Sequence, residues 1–192
     1  MNTPVKLGEP VIMAQKYGKT FRRQDFRYPD GTVKDFWIFD YKNGQSPAVA
    51  LSVTDDMHVI GVRQFRHAAN SVVVEIPGGV LKTDAEQPEE AIMRELPEET
   101  GYIPGKIIRL SQAPIWFEPA NNTVPYWPLL AMNCRKEQEL APDDTEIIEL
   151  IVVLIQTWIS WIFDGTIRDS KTITTTFLAL PHLNIKLVHP HT

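Results

Sequence analysis

The stretch MRELPEETGY, Met93–Tyr102, carries three glutamates within five residues, with Arg94 as the only base among them. Residues three or four apart on a helix share a face, so Glu95, Glu98 and Glu99 point to one region if the stretch is helical. Carboxylates placed in this way repel one another, and a hard cation such as Mg²⁺ would remove that cost. The alternative interpretation is a solvated acidic helix face, which is a common surface feature.

The residues around this stretch predict where its helix begins and ends. Apolar residues recur at helical spacing over residues 88–99, which predicts a helix with one apolar stripe. Pro88 suits the first turn of that helix, and Gly101 is typical of a helix stop. Pro97 has no backbone N–H, and we expect it to kink the last turn.

The rest of the chain predicts mostly strands before this helix and a mixture after it. Hairpins are predicted over residues 10–45, two strands over 48–65, further strands at Ser71–Pro77, Ile107–Phe117, Tyr126–Cys134 and Ile148–Ile155, and helices over 157–165 and 170–183. This order predicts an α/β fold, of the α+β kind, with a mixed sheet flanked by helices.

Composition narrows the class of protein. The 192 residues suit one domain, or one domain with a small lobe, and the 43% hydrophobic fraction suits a globular core. A net charge of -5 argues against a nucleic-acid surface. The single cysteine, Cys134, excludes an internal disulfide and favours a reducing, cytoplasmic compartment. The most apolar run, Ile147–Phe163, is too short for a membrane span, and we find no signal peptide.

A longer stretch, EIPGGVLKTDAEQPEEAIMRELPEETGY (Glu75–Tyr102), resembles the Nudix box of the Nudix hydrolases. That signature is G-x5-E-x7-R-E-U-x-E-E-x-G-U, in which U is apolar. Glu86, Arg94 and the three glutamates already quoted fit its spacing. Six residues rather than five separate Gly79 from Glu86, which indicates a one-residue loop insertion. The resemblance implies the Nudix α/β/α sandwich, here with an N-terminal β-rich extension.

The resemblance also implies a site for Mg²⁺, with Mn²⁺ as a substitute. The metal ligands that it implies are the Gly78 carbonyl, Glu95, Glu98 and Glu99, with Glu98 either a ligand or a residue that holds water. Arg94 and Glu86 resemble a structural pair that orients loop and helix. Glu75 is a weaker candidate for the metal site, and a solvent-facing strand end is an equal alternative.

Two further segments resemble the branch that hydrolyses ADP-ribose and nucleotide sugars. Arg63-Gln64-Phe65-Arg66 resembles its V-x-Q-[FY]-R strand, and residues 164–172 resemble its G-x-I-x-D segment before a final helix. Arg66, with Arg63 beside it, is therefore a candidate for binding the pyrophosphate, because guanidinium matches phosphate oxygens. An exposed strand arginine is the alternative.

In that branch an acidic loop supplies the catalytic base. By position this is Glu146, or Asp144 two residues earlier, with Glu98 as a third candidate for a catalytic role. A solvated loop is the alternative, because many loops are acidic.

The loop Glu118–Val124 departs from the branch, because it lacks the expected glycine and trailing glutamate. A substrate other than ADP-ribose, such as a nucleoside diphosphate hexose, is therefore considered. Asn121 and Asn122 are candidates for contacts to sugar or base, or are turn residues. Trp37, with its aromatic neighbours, is a candidate for base stacking, although core or dimer interface is the favoured interpretation.

Together these features predict metal-dependent hydrolysis of a nucleoside diphosphate sugar, such as ADP-ribose or GDP-mannose, to NMP and sugar phosphate. The expected organisation is a β extension over residues 1–45, for dimerisation and base binding, and a Nudix domain over 46–192. A homodimer acting on a small molecule is expected, with no nucleic-acid or membrane partner. The alternatives are a non-catalytic nucleotide sensor, a hydrolase of nucleoside triphosphates or capped RNA, and a scaffold protein.

Overall fold

The structure is a computed structural model that describes residues 1–41, 45–139 and 147–186. These residues form two compact units. The first comprises the described residues of Met1–Ser46 together with Trp116–Pro125. The second comprises Pro47–Ile115 and the described residues from Tyr126 onward.

The first unit contains a three-stranded antiparallel sheet, formed by β1 (Val5–Lys16), β2 (Lys19–Arg27) and β3 (Val33–Tyr41) in that order. Gly31 takes a left-handed conformation, φ 84°, in the turn before β3, where a side chain would be strained. Asp30 closes the turn by accepting the Thr32 N–H at 2.9 Å. The hairpin predicted at this turn is confirmed.

The second unit carries a mixed sheet. The remaining strands are β4 (Pro47–Val53), β5 (His58–Arg66), β6 (Ser71–Glu75), β7 (Gly78–Val80), β8 (Tyr102–Ile103), β9 (Lys106–Arg109), β10 (Ile115–Trp116), β11 (Pro125–Met132), β12 (Arg135–Lys136) and β13 (Ile148–Leu154). The central strand order is β10-β11-β4-β5-β13, with β6 on β5, β7 on β4 and β9 on β11. Strands β11 and β4 are parallel, and β4 pairs antiparallel with β5, so the sheet is mixed as predicted.

Three α-helices accompany this sheet among the described residues: α1 (Pro88–Thr100), α2 (Ile155–Phe163) and α3 (Ser170–Ala179), the last continuing into a 3-10 turn, Leu180–Leu183. The described residues hold no helix that is long and apolar enough to cross a membrane. The α/β fold class predicted from the sequence is confirmed.

The helix predicted over residues 88–99 is present and extends one residue further. Pro88 occupies its first turn, and Gly101 ends it in the left-handed conformation, φ 76°. The helix continues through Pro97, whose carbonyl accepts the Gly101 N–H at 2.9 Å. Pro97 therefore does not end the helix before its carboxylates.

One predicted strand is wrong in its middle. The strand expected over Ile107–Phe117 is two short strands, β9 and β10. Between them Ser111 turns its hydroxyl back to the Ala113 carbonyl at 2.7 Å, and Pro114 has no N–H for a ladder. The apolar alternation continued across this break, so the pattern alone predicted one strand.

Helix α1 packs on the sheet through the apolar stripe that the sequence predicted. Ala91, Ile92 and Leu96 are fully buried, in one cluster with Ile60 of β5 and Leu129 of β11. Burial of this face, rather than helix propensity, holds α1 in place, because most helical stability in proteins comes from packing.

We expect Leu96→Ala to lower the free energy of unfolding by about 2–5 kcal/mol, because it opens a cavity beneath α1. Urea denaturation measures this. Met93→Ala is the matched control on the same helix, since Met93 is 50% exposed and its loss is expected to cost less than about 0.5 kcal/mol. Equal losses in the two variants would contradict the packing described here.

Candidate active site

The loop before α1 is tied to the helix by its first turn. The Gln87 N–H donates to the Glu90 side chain at 2.8 Å, a capping interaction that fixes the entry to the helix. Glu86, in the same loop, accepts a hydrogen bond from the Lys82 N–H. The loop and the helix therefore hold one another in register.

Arg94 lies at the centre of the acidic cluster. Its guanidinium pairs with Glu95, lies 3.4 Å from Glu86 and 3.9 Å from Glu98, and donates to the Val80 carbonyl at 3.3 Å. The base among these glutamates, Arg94, therefore compensates part of the repulsion expected between Glu95 and Glu98. One arginine therefore links the loop to the helix, because its several N–H donors point in different directions.

The double glycine after β6 lies hard against its neighbours. A Cβ on Gly78 would lie 2.3 Å from the Ala48 carbonyl oxygen, and a Cβ on Gly79 would lie 2.0 Å from Glu95 Oε1. The Gly78 N–H donates to Glu99 Oε2 at 3.0 Å. At Gly78 the clash is with backbone, so only glycine fits there, whereas a side chain at position 79 would displace the Glu95 carboxylate. The backbone of both glycines therefore lies directly beside α1.

The segment Ile76–Gly78 is held from three sides. The Ile76 N–H donates to the Thr172 hydroxyl of α3 at 3.1 Å. The carbonyl of the intervening proline accepts the Ala50 N–H of β4 at 3.0 Å, and Glu99 of α1 accepts from Gly78. Three elements that are distant in sequence thus fix three consecutive residues.

Asp169 supports this anchor from the start of α3. One of its carboxylate oxygens accepts the Thr172 N–H at 2.9 Å and the Thr172 hydroxyl at 2.8 Å, and the other pairs with Lys171 at 2.7 Å. Burial raises the pKa of Asp169, but Lys171 and the hydrogen bonds from Thr172 outweigh burial and hold this pKa below its ordinary value. The carboxylate is therefore charged at neutral pH and caps the helix.

Arg66 and Glu75 form a two-bond ion pair. Arg66 Nε and Nη2 donate to the two oxygens of Glu75 at 2.8 Å and 2.7 Å. Glu75 is 3% exposed, so the alternative that it faces solvent is wrong. The hydrogen bond to Glu75 raises the pKa of Arg66 against the effect of burial, and the charges of Glu99 and Asp169 raise it further. The Arg66 side chain remains 48% exposed, which leaves it open to a ligand.

The chemistry of the α1 face fits a hard divalent cation. Its donors are carboxylate oxygens on one helix face beside the backbone of Gly78 and Gly79, and oxygen donors are what Mg²⁺ and Mn²⁺ prefer. Within residues 1–41, 45–139 and 147–186, no three His, Cys, Asp or Glu side chains are arranged as a metal site. The Arg94 guanidinium is paired with the Glu95 carboxylate, so a metal ion can bind Glu95 only if this ion pair opens.

The remaining predicted site residues fall elsewhere. Arg63 of β5 pairs with Glu149 of the neighbouring strand β13 at 2.7 Å, so its guanidinium already has a partner. Glu146 and Asp144 lie outside the described residues. Trp37 belongs to the first unit and is 45% exposed. Its ring centroid lies 5.0 Å from that of Phe21.

Asn121 and Asn122, in the loop between β10 and β11, make local hydrogen bonds. Asn122 Oδ1 accepts the Val124 N–H at 2.8 Å, and Asn121 donates its N–H to the Glu118 side chain at 3.2 Å. These bonds are those of turn residues, which was one of the two interpretations of this loop. A contact from either side chain to a substrate stays a prediction.

Sequence reasoning missed the part played by α3. Asp169, Lys171 and Thr172 lie in residues 164–172, which the sequence matched only as a segment and to which it assigned no role. A local signal was present, because Asp169 precedes Thr172 by three residues, as an N-cap residue precedes its N–H donor. The contact from Thr172 to Ile76 spans 96 residues, and no local pattern predicts it.

A mixed sheet, a helix with three carboxylates beside a double glycine, and an arginine joining loop to helix define the Nudix class of α/β hydrolases. The family model described as NUDIX domain matches residues 44–162, which is more than half of the chain, and the chain therefore belongs to the Nudix family. The resemblance found in the sequence is confirmed.

Curated relatives and a solved structure extend the comparison. The ADP-ribose pyrophosphatase of Bacillus subtilis (strain 168) is 27% identical over 165 residues, covering 85% of this chain and 83% of the relative. The GDP-mannose pyrophosphatase of Yersinia pestis (strain Pestoides F) is 28% identical over 158 residues, covering 78% and 77%. A crystal structure of an ADP compounds hydrolase superposes with a TM-score of 0.81 at 18% identity over 94% of each chain, which shows the shared fold.

We expect Thr172→Val to leave the Ile76 N–H without an acceptor, at a cost of about 1–3 kcal/mol, and to speed hydrogen exchange at the Ile76 amide. Thr176→Val is the matched control, because Thr176 is equally buried on α3 but accepts from Trp158 Nε1 at 3.1 Å instead. Thr172→Ser should restore slow exchange. Equal exchange at Ile76 in the two valine variants would contradict the anchor.

Proposed function

We propose that this Nudix protein is a pyrophosphohydrolase that cleaves the diphosphate of a nucleoside diphosphate sugar, giving NMP and a sugar phosphate. The observation that carries the proposal is the arrangement around Glu99, which accepts the Gly78 N–H at 3.0 Å and whose charge raises the pKa of the half-exposed Arg66 guanidinium. The names of the pyrophosphatase relatives support ADP-ribose, GDP-mannose or a similar substrate.

The proposed metal ligands are the Gly78 carbonyl, Glu95, Glu98 and Glu99, with Mg²⁺ as the ion and Mn²⁺ as a substitute. A metal bound there would neutralise the diphosphate and lower the pKa of a water molecule. The protein itself would present the oxygen ligands. They lie on α1, which is held in place by its buried apolar face, and beside a loop that hydrogen bonds with Thr172 and Ala50 restrain.

Arg66 is proposed to bind the diphosphate. Its Nε and Nη2 are fixed by Glu75, so the guanidinium plane is oriented before a ligand arrives. The other Nη makes no hydrogen bond with a described residue, and a fork of this kind matches phosphate oxygens. Arg63 is a weaker proposal, because it is already paired with Glu149.

The proposed base is Glu146, with Asp144 and then Glu98 as alternatives, and its role is to orient or deprotonate the attacking water. Attack in line on one phosphorus develops charge on the phosphoryl oxygens. Arg66 stabilises that charge. Its hydrogen bonds to Glu75 raise its pKa against the effect of burial, so the guanidinium stays positively charged.

We also propose a cytoplasmic homodimer, assembled through the first unit. Several apolar side chains of its small sheet are exposed, among them Val11, Ile12, Val33 and Trp37. Apolar groups grouped on one small sheet are typical of an interaction surface. Light scattering on the purified protein tests the assembly, and a monomer at micromolar concentration would overturn it.

We expect hydrolysis of one sugar nucleotide to require Mg²⁺, in a panel that includes ADP-ribose, GDP-mannose, ADP-glucose, UDP-glucose, dinucleotides and dNTPs. Glu99→Gln should lower kcat about a hundredfold or more, because it removes a charge while its amide oxygen still accepts the Gly78 N–H. Glu137→Gln, an exposed glutamate outside α1, is the control. If the protein binds compounds of the panel but hydrolyses none of them, the nucleotide-sensing alternative is favoured. A preference for dNTPs would favour a hydrolase of nucleoside triphosphates.

Arg66→Lys is expected to raise KM for the diphosphate substrate about tenfold, because lysine keeps the charge but loses the fork. Steady-state kinetics with Arg135→Lys as a control checks this, since Arg135 is an exposed arginine remote in sequence from the site. An unchanged KM in Arg66→Lys would exclude a two-bond contact to phosphate.

A further inference from the structure

An open cleft of about 760 Å³ borders the Arg66–Glu75 pair. It lies between the turn that joins β5 to β6 and the segment that leads into α3, with Ser71 on the first side and Arg168 and Lys171 on the second. We call it the Arg66 cleft. Its volume falls in the range of about 300–1,000 Å³ that is typical of ligand sites.

The charges that line the Arg66 cleft leave an excess of cation. Its two acids are compensated within the protein, Glu75 by Arg66 and Asp169 by Lys171 together with the hydrogen bonds from Thr172. Arg168 is exposed and makes no hydrogen bond or ion pair with any part of the chain that the structure describes. The cleft therefore presents one uncompensated guanidinium beside two compensated pairs.

Arg66 connects this cleft to the proposed reaction centre. It lines the cleft, and the charge of Glu99 on α1 is close enough to raise its pKa. A substrate whose diphosphate reaches both Glu99 and Arg66 therefore continues into the cleft with one of its two ends.

The chemistry of the lining selects which end this is. No aromatic ring lines the cleft among the described residues, and nucleobases are usually bound by stacking on such rings. Hydroxyls from Ser71, Thr166 and Ser170 lie beside the charged groups instead. Hydroxyl and guanidinium donors suit a sugar or an acidic group, so the cleft fits the end of the substrate distal to the base.

We propose that the Arg66 cleft binds the distal half of the substrate and that Arg168 selects a distal group that bears negative charge, a carboxylate or a phosphate, over a neutral sugar. This rests on the proposed function for the location of the diphosphate. It adds a specificity-determining residue and a substrate class, namely nucleoside diphosphates linked to an acidic sugar.

The test compares UDP-glucose with UDP-glucuronate, which share base, ribose and diphosphate and differ in the charge of the distal group. The ratio of their kcat/KM values is thus independent of the preference for the base. We expect the wild-type protein to favour the charged substrate. Arg168→Gln should lower kcat/KM for UDP-glucuronate about tenfold more than for UDP-glucose, mainly through KM, and Arg168→Lys should recover part of the difference.

Arg135→Gln is the control, because it removes another exposed arginine that does not line the cleft, and it should leave the ratio unchanged. The same two ligands are titrated by calorimetry in EDTA, where no hydrolysis occurs. A charge preference in binding that Arg168→Gln abolishes supports the cleft even if hydrolysis is absent, in which case only the proposed function fails. A wild-type ratio near one, no binding of either ligand, or an equal loss for both in Arg168→Gln overturns the inference.

Discussion

The hydrogen bond from the Gly78 N–H to the Glu99 carboxylate is the contact on which the site depends. It joins the end of the β6–β7 connection to the last turn of α1, at 3.0 Å, and it requires a residue without a side chain. A glycine segment is intrinsically mobile, because it loses more conformational freedom on folding than any other residue type. Anchors from Thr172 and Ala50 on either side offset that mobility.

Electrostatic compensation follows the same plan. Arg94 pairs with both Glu86 and Glu95. Arg66 pairs with Glu75, and Lys171 pairs with Asp169. These four acids therefore each have a basic partner, which is the condition for keeping charge inside a protein, whereas Glu99 is held by the Gly78 N–H. Arg168, which makes no ion pair with a residue that the structure describes, lies at a cleft, where a ligand can approach it.

Much of the fold was accessible from local patterns, for physical reasons that differ between elements. The period of α1, with Pro88 at its start and Gly101 at its end, encoded a helix within one residue of its observed limits. The hairpins followed from alternation and turn residues. The break between β9 and β10 was missed, because Ser111 acts through a side chain that turns back on the backbone, which a hydrophobic pattern does not register.

The sequence by itself determined the family, the fold class and the acidic face of α1, because each is written in short-range spacing of charged and apolar residues. Only the tertiary structure decided that Glu75 is buried against Arg66, that Arg63 is taken by Glu149, and that Thr172 anchors the glycine segment. These contacts join residues that are separated along the chain, and folding brings them together through the packing of the whole sheet. Their partners therefore cannot be inferred from periodicity, which records only which way a side chain faces.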